Sequence, residues 1–261
     1  MVPSFIVNYL SRLIHQDEIN DIIVRYNDLE GVDFMNALVR HFNINLIIRN
    51  EKNIPPDDGR RYIFASNHPL GGLDGICLAA VIGNHYNQHI QFLVNDLLLN
   101  IIQFQTIFVP INKHGAQSRE SVQQMDEAYA SDNQIITFPA GLCSRKHKGV
   151  IRDLEWKKSF IQKAFEHKRN IVPVYFEGEN SNFFYRLANF RKQIGLKFNL
   201  EMLFLPDELF KNRNKTFGIT IGQPVSYETF SAGGKPAEWA VKLKETVYQL
   251  AGNQKIYATT H

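Results

Sequence analysis

His68 and Asp74 are the two residues of this sequence whose types and spacing most directly suggest chemistry. They stand at the ends of the segment His68–Asp74, which reads HPLGGLD and follows a β-rich run. An imidazole can take a proton from a hydroxyl group, and a nearby carboxylate fixes its tautomer and stabilises the imidazolium that forms. On spacing alone, a plainer interpretation is favoured, in which Asp74 caps the next helix and His68 is an ordinary loop residue.

The glycines of this segment allow the two side chains to meet. Gly71 and Gly72 accept backbone angles that other residues resist, so the loop can fold Asp74 back onto the imidazole. The segment lies between a predicted strand and the apolar run Gly75–Gly83. Open α/β sheets bind ligands beyond the carboxyl ends of their strands, so this position favours a functional loop.

Short β-rich runs alternate with helical stretches through most of the chain. The predicted strands are Asn45–Ile48, Tyr62–Ala65, Ile90–Val94, Thr106–Pro110, Gln134–Phe138, Ile171–Phe176 and Phe217–Ile221. The alternation predicts an α/β fold with a mixed, mostly parallel sheet of about seven strands flanked by helices. Residues 1–43 carry apolar residues at helical spacing and are predicted to form an N-terminal helical annex to an α/β domain of residues 44–261.

Composition narrows the class of protein. Of the 261 residues, 44% are hydrophobic, which suffices for a sizeable core, and a net charge of +3 is too small to imply nucleic acid binding. His85 and His89 have HxxxH spacing but fall in a predicted loop, so no metal site is expected. No run reaches the roughly 18 apolar residues of a spanning helix, and no secretory signal is recognisable, which predicts a cytoplasmic protein.

The segment Asn67–Asp74 resembles the first motif of the glycerolipid acyltransferases related to lysophosphatidic acid acyltransferase. Three more blocks follow in that family's order: Ile107–Lys113 is similar to the second, Phe138–Arg145 to the third and Ile171–Val174 to the fourth. The run Ile219–Pro224 also resembles the family's last strand. Four blocks in order are a far more specific signal than the His–Asp pair alone.

Three features depart from the family's usual pattern. Five residues separate His68 from Asp74 where four are usual, and Asn95-Asp96 stands where a lysine often precedes the second block. In the third block, Ala140 and Cys143 replace the Glu and Arg that help to hold a glycerol phosphate in the family. The variant resembles a separate branch that includes the O-acyltransferases of ornithine-lipid and glycine-lipid synthesis. Their acceptor, an N-(3-hydroxyacyl) amino acid, carries a carboxylate and no phosphate.

The resemblance implies an acyltransferase in which His68 takes the proton of a lyso-aminolipid hydroxyl and Asp74 steadies the imidazolium. Loop N–H groups or nearby donors would stabilise the oxyanion. The donor would be an acyl carrier protein or coenzyme A thioester, so no cofactor beyond this co-substrate is expected. The residues expected to bind substrates are Asn67, Gly71, Gly72, Lys113, Gly141, Ser144 and Arg145, with the basic side chains pairing with anionic groups.

Several alternatives remain open at this point. A 1-acyl-glycerol-3-phosphate acyltransferase would keep the phosphate acceptor but would need different residues to bind it. A thioesterase would release fatty acid without an acceptor, and a thiol hydrolase would use Cys143 as its nucleophile. A non-catalytic lipid-binding protein would use the same surfaces without turning over a thioester.

Asn182–Lys197 could attach the protein to a membrane. Phe183, Leu187, Phe190 and Ile194 recur at helical spacing with basic residues among them, which suits an anionic bilayer. The pattern is equally typical of a helix packed on the sheet. Together with a predicted basic loop at Ser144–Lys148, which could contact an acidic carrier protein, it predicts a peripheral protein on the inner face of the cytoplasmic membrane.

Overall fold

A computed structural model describes residues 4–94, 101–110, 119–230 and 234–252. Its main sheet has seven strands: β1 (Asn45–Arg49), β2 (Tyr62–Ser66), β3 (Ile90–Val94), β4 (Phe108–Pro110), β5 (Gln134–Thr137), β8 (Asn170–Phe176) and β9 (Thr216–Ile221). Their order across the sheet is β1-β9-β8-β2-β5-β3-β4. Only the β8–β9 pair is antiparallel within this sheet. The predicted mixed, mostly parallel seven-stranded α/β fold is therefore confirmed, and each predicted strand segment supplies one of its strands.

Helices cover both faces of the sheet, as the alternating pattern predicted. In chain order they are α1 (Ser4–Leu13), α2 (Gln16–Arg25), α3 (Gly31–His41), α4 (Leu73–His85), α5 (Arg119–Ala130), α6 (Ser159–Glu166), α7 (Asn182–Gln193), α8 (Leu205–Lys211) and α9 (Pro236–Gly252). Short 3-10 helices lie at Glu51–Asn53, Ile102–Phe104, Leu200–Phe204 and Tyr227–Phe230.

The central strand β2 shows why two helical layers are needed. Its five residues are all buried. Tyr62 and Phe64 point into the core that contains residues of α3 and α4, whereas Ile63 and Ala65 point into the core that contains residues of α5, α6 and α9. A strand in the middle of a parallel sheet is apolar on both faces because both faces are covered.

The N-terminal helices share the first of these cores. Val32, Phe34 and Met35 of α3 are almost completely buried against α4 and the sheet. Gly83 of α4 permits this close packing, since a Cβ there would lie 2.4 Å from a methyl carbon of Val32. A domain boundary between residues 43 and 44 stays a prediction.

A hairpin replaces the basic loop that the sequence predicted at Ser144–Lys148. Strand β6 (Arg145–His147) pairs antiparallel with β7 (Val150–Arg152). Lys148 and Gly149 form the two-residue turn, both with positive φ, of 47° and 83°. Such a turn matches the twist of the flanking strands. The loop prediction was wrong because Lys-Gly is a much weaker turn signal than Asn-Gly.

The carboxyl ends of β2, β5 and β8 lie side by side, since β2 is hydrogen-bonded to both neighbours. The first block follows β2 and the third block follows β5. The fourth block lies within β8. The topology therefore brings three sequence-distant blocks to one edge of the sheet.

Candidate active site

The imidazole of His68 contacts the carboxylate of Asp74. The Nδ1 atom of His68 lies 2.9 Å from Oδ2 of Asp74. The Asp74 side chain is fully buried and that of His68 is 15% exposed. The loop therefore closes the pair despite its five intervening residues. With Nδ1 bonded to the carboxylate, Nε2 is left as the basic ring nitrogen.

Asp74 lies in the first turn of α4, whose N-cap residue is Gly72, and its carboxylate also binds backbone N–H groups of the loop and of that turn. Its Oδ2 accepts hydrogen bonds from the backbone N–H groups of Leu70 at 2.9 Å and Gly71 at 3.3 Å. Its Oδ1 accepts from Gly72 at 3.0 Å and Gly75 at 2.9 Å. These four N–H groups are committed to the carboxylate, which argues against the expectation that they stabilise an oxyanion.

The charge state of Asp74 results from opposing effects. Burial raises its pKa, but the charge of His68, its hydrogen bond and the backbone N–H groups together lower the pKa below the ordinary value. The carboxylate is therefore ionised at neutral pH. A charged group in this position stabilises an imidazolium that forms on His68.

Gly71 and Gly72 serve the loop in different ways. Gly71 has a φ of +77°, and a Cβ there would lie 2.8 Å from Leu205 and 3.2 Å from Cβ of Cys143. Both the backbone angle and the close packing therefore require glycine. Gly72 is extended, with open space where a Cβ would be. Their predicted contact with substrate stays a prediction.

Phe138, at the end of β5, supports the imidazole. Its ring stacks on His68 with a centroid distance of 3.8 Å and an interplanar angle of 15°. Because Asp74 fixes one edge of the imidazole and Phe138 covers a face, the ring plane of His68 is set by two independent contacts. The third block therefore supplies an aromatic support that the sequence analysis did not identify.

A second buried carboxylate, Asp153, holds the backbone of His68. Its Oδ1 accepts from the N–H of His68 at 3.1 Å and from the hydroxyl of Ser144 at 2.6 Å. Its Oδ2 accepts from the indole of Trp156 at 2.9 Å. The N–H of Ser144 in turn donates to the His68 carbonyl at 2.7 Å. Sequence reasoning missed Asp153 because it follows the unpredicted hairpin and belongs to no recognised block.

Asn67 and Ser144, both predicted to bind substrate, are buried. The amide of Asn67 donates to the carbonyl of Phe176 at 2.9 Å and accepts from its N–H at 2.7 Å. The hydroxyl of Ser144 is bonded to Asp153. These side chains tie the loop to β8 and to the hairpin, and their predicted contact with substrate stays a prediction.

Arg145 faces inward rather than toward an open surface. Its Nη2 lies 2.9 Å from Oε1 of the fully buried Glu201, and Arg191 reaches the other oxygen of Glu201 at the same distance. Arg145 also donates to the carbonyl of Cys143 at 2.7 Å. Its predicted role toward an anionic substrate stays a prediction, and the guanidinium already has a carboxylate partner. Lys113, the other predicted cation, lies outside the described residues.

Cys143 has the properties of a structural thiol. It is completely buried, and burial raises its pKa to about 11. Its sulfur lies 3.9 Å from the sulfur of Met202 and 3.1 Å from Arg145. A protonated thiol without access to solvent is a poor nucleophile, which argues against a Cys143-dependent hydrolase.

Gly141 has a φ of +68° and donates its N–H to the carbonyl of Phe138 at 2.9 Å. It therefore makes the tight turn that follows β5, as a glycine in left-handed conformation is suited to do. Contact with substrate at Gly141 stays a prediction.

Within the described residues, Asp126, Glu166 and His167 have ligand atoms close enough to surround a metal ion. However, the ammonium of Lys163 already lies 2.7 Å from Asp126 and 2.6 Å from Glu166. A lysine cation thus neutralises both carboxylates, and the group is far in sequence from the His68 loop.

Comparisons with known proteins show the family to which the chain belongs. Residues 1–254 match the family described as Acyltransferase. The chain is 48% identical over 249 residues to the lyso-glycine lipid O-acyltransferase of Bacteroides thetaiotaomicron, an alignment that covers 95% of this chain and 91% of that protein. It is 47% identical to the protein of the same name from Phocaeicola vulgatus, with coverage of 95% and 88%.

Among solved structures, the fold resembles the 1-acyl-sn-glycerophosphate (LPA) acyltransferase PlsC of Thermotoga maritima. The TM-score is 0.51 at 16% identity, with 93% of this chain and 95% of that chain covered. At such low identity the likeness concerns the fold alone. In the described part of the chain, every helix is too short or too polar to cross a bilayer.

Proposed function

Since this chain belongs to the acyltransferase family, we propose that it esterifies the hydroxyl of a lyso-glycine lipid with an acyl group taken from a thioester. It is an O-acyltransferase, and the two similar relatives share the name of a lyso-glycine lipid enzyme. The observation that carries the mechanism is the 2.9 Å contact between Nδ1 of His68 and the buried carboxylate of Asp74.

His68 acts as the general base in this mechanism. Asp74 keeps the proton on Nδ1, so Nε2 accepts the proton of the acceptor's hydroxyl. As the proton leaves, the hydroxyl oxygen forms a bond to the carbonyl carbon of the thioester. The carbon–sulfur bond then breaks, and the departing thiolate takes the proton from the imidazolium. An ester and a free thiol are produced, and no covalent enzyme intermediate forms.

The third block favours a carboxylate acceptor over a phosphate. Ala140 and Cys143 occupy the positions at which related glycerolipid enzymes carry a Glu and an Arg that help to hold glycerol phosphate. Both residues are buried here. A glycine lipid needs fewer charge-assisted hydrogen bonds, because its single carboxylate replaces a dianionic phosphate.

The donor is proposed to be an acyl carrier protein or coenzyme A thioester, with the carrier protein preferred. In the hairpin β6–β7, Arg145 faces inward and Lys146 donates to Asn182 at 2.9 Å. His147 and Lys148 are left exposed at the tip. This smaller basic surface is what remains available for an acidic carrier.

The surface proposed to face the membrane is the outer side of α7 and the segment after it, residues 183–200. Phe183, Phe190 and Phe198 are 51%, 57% and 61% exposed. A different set of α7 residues, including Phe184 and Tyr185, packs into the protein. This stretch contains four basic residues and no acidic ones. Exposed aromatics among basic residues suit the anionic inner face of a cytoplasmic membrane.

The activity is tested with purified protein, labelled acyl carrier protein and coenzyme A thioesters, and two acceptors, lyso-glycine lipid and lysophosphatidate. Ester formation on the glycine lipid is expected, with a loss of about 10³-fold in His68→Ala, because the general base is removed. His89→Ala, which removes an exposed histidine just before β3, is the matched control.

Other results would assign other functions. Preferential esterification of lysophosphatidate would indicate a 1-acyl-glycerol-3-phosphate acyltransferase. Release of free fatty acid without any acceptor would indicate a thioesterase. Absence of thioester turnover with either acceptor, together with lipid binding, would indicate a binding protein.

The membrane surface is tested by flotation with vesicles that contain or lack anionic lipid. Replacing Phe190 and Phe198 together with glutamate is expected to reduce binding to anionic vesicles at least tenfold, because apolar area is lost and two negative charges are added. Phe165→Glu, at an equally exposed aromatic of α6, is the control. If both variants lose vesicle binding equally, residues 183–200 are not the membrane-facing surface.

A further inference from the structure

A cleft opens beside the third block, on the side of the sheet that α5 and α6 cover. Phe138, Pro139 and Gly141 form part of its wall, and Lys157 lies across from them. Phe138 is the same residue that stacks on His68 at 3.8 Å. Phe138, at the end of β5, therefore borders the cleft and also contacts the proposed general base.

Lys157 is anchored to the third block by its own backbone. Its N–H donates to the carbonyl of Pro139 at 3.0 Å. Its ammonium lies directly over Gly141, where an added Cβ would be 3.3 Å from Nζ. The side chain is also exposed, so a solute can reach the ammonium. The turn at Gly141 thus leaves room for the ammonium beside the backbone of the third block.

Neighbouring cations are already paired. Lys163 lines the same cleft, but its ammonium binds Asp126 and Glu166. Arg145, the basic residue that ends the third block, binds Glu201 at 2.9 Å. Among the described residues, by contrast, no carboxylate lies within ion-pair distance of Lys157. Its charge is therefore available to a bound anion.

We propose that Lys157 binds the carboxylate of the acceptor and so places the hydroxyl of that acceptor at His68. The inference rests on the proposed function and names the residue that recognises its head group. In an extended N-(3-hydroxyacyl) glycine, the carboxylate and the reacting hydroxyl are about 7 Å apart. An acceptor of this length would pass the end of β5 at Phe138, the residue that borders the cleft and contacts the imidazole.

The chemistry of the third block supports a carboxylate ligand here. The segment Phe138–Ser144 contains no acidic residue, so nothing within it neutralises the ammonium. A lysine ammonium offers a compact charge with rotatable donors, which suits a single carboxylate. The head group is held away from the reacting atoms, so its binding acts on the position of the hydroxyl and not on its acidity.

The test uses full-length protein and two acceptors, lyso-glycine lipid and its uncharged carboxamide. Lys157→Gln is expected to raise the KM for the carboxylate acceptor about tenfold or more, with a smaller change in kcat and none in the KM of the thioester donor. Wild type should prefer the carboxylate to the carboxamide, and Lys157→Gln should lose that preference. Lys157→Arg should restore part of it, because the positive charge returns.

Lys158→Gln is the matched control, since it removes the same charge from the adjacent exposed residue. An unchanged acceptor KM in Lys157→Gln would overturn the inference while leaving the proposed function intact. A changed donor KM instead would assign Lys157 to phosphates of the donor and also overturn it. If the wild-type protein does not esterify lyso-glycine lipid, the proposed function itself is wrong. This outcome is distinct from an unchanged acceptor KM in Lys157→Gln.

Discussion

Two buried carboxylates hold His68 from different sides, and they hold different parts of it. Asp74 contacts the imidazole, whereas Asp153 accepts the backbone N–H of the same residue at 3.1 Å. Asp74 comes from the same loop. Asp153 comes from the segment after the hairpin, 85 positions later, and also binds Ser144 and Trp156. Asp74 therefore orients the ring and folds its own loop, whereas Asp153 ties the start of that loop to the residues of the hairpin region.

The largest effect that separates the two carboxylates is expected from Asp74→Asn. An amide in this place no longer fixes the proton on Nδ1 or stabilises the imidazolium, so kcat should fall by about 10³–10⁴-fold. The KM values should change less than kcat, because Asp153 still holds the backbone of His68. Steady-state kinetics with circular dichroism as a folding control will measure this. A loss of less than tenfold in a folded protein would contradict the role of Asp74 as the partner of the base.

Asp153→Asn is expected to affect stability more and activity less. The amide can accept from only one side, so the N–H of His68, the hydroxyl of Ser144 or the indole of Trp156 loses its acceptor. Hydrogen bonds to a charged group are worth about 1.5–3 kcal/mol, and the free energy of unfolding should fall by that amount. Displacement of the loop should reduce kcat by about 10- to 100-fold.

Denaturant unfolding and kinetics on the same Asp153→Asn preparation separate the two effects. If this variant loses as much activity as Asp74→Asn without losing stability, the division of tasks is wrong.

Ser144→Ala is a gentler test of the same support. The 2.6 Å bond from the hydroxyl to Asp153 is removed, while the carboxylate keeps its bonds to His68 and Trp156. Stability should fall by about 1 kcal/mol, and kcat should stay within about threefold of wild type. Thermal denaturation followed by fluorescence of the nearby tryptophan is the measurement. A much larger activity loss would restore Ser144 as a residue that contacts substrate.

The smallest expected effect is a pH dependence that belongs to Asp74. Its pKa in the folded protein is lowered, so the carboxylate contributes stability above its unfolded pKa of about 3.9 and loses it as pH falls through the folded value. The stability that wild type gains from the Asp74 carboxylate over Asp74→Asn should be present at about pH 5 and should narrow below about pH 4. Urea unfolding between these pH values and lower ones tests it, and a stability difference that grows below about pH 4 would contradict it.

The sheet could be predicted almost completely from sequence, because each strand is a short apolar run with its own boundaries. The order of the four blocks likewise singled out His68 and Asp74, and the structure brings these two side chains into contact. Two contacts could not be predicted: that of Asp153 with His68 and that of Glu201 with Arg145. The residues they join are 85 and 56 positions apart and share no motif. Contacts of this kind decide which basic side chains already have a carboxylate partner, as Arg145 does. Lys157 could therefore be proposed as a ligand of the acceptor only from the three-dimensional structure.

The pairing of β1 with β9 has a consequence for how the chain reaches its native state. Asn45 lies opposite Thr216, so the edge strand finds its partner only 171 residues later. At a synthesis rate of 5–20 residues per second, β9 is synthesised roughly 10–30 s after β1. Closing such a long loop is also slow during refolding. Ile47 is 45% exposed even in the finished sheet, so a nascent chain stalled before β9 would present an unpaired apolar edge to other chains.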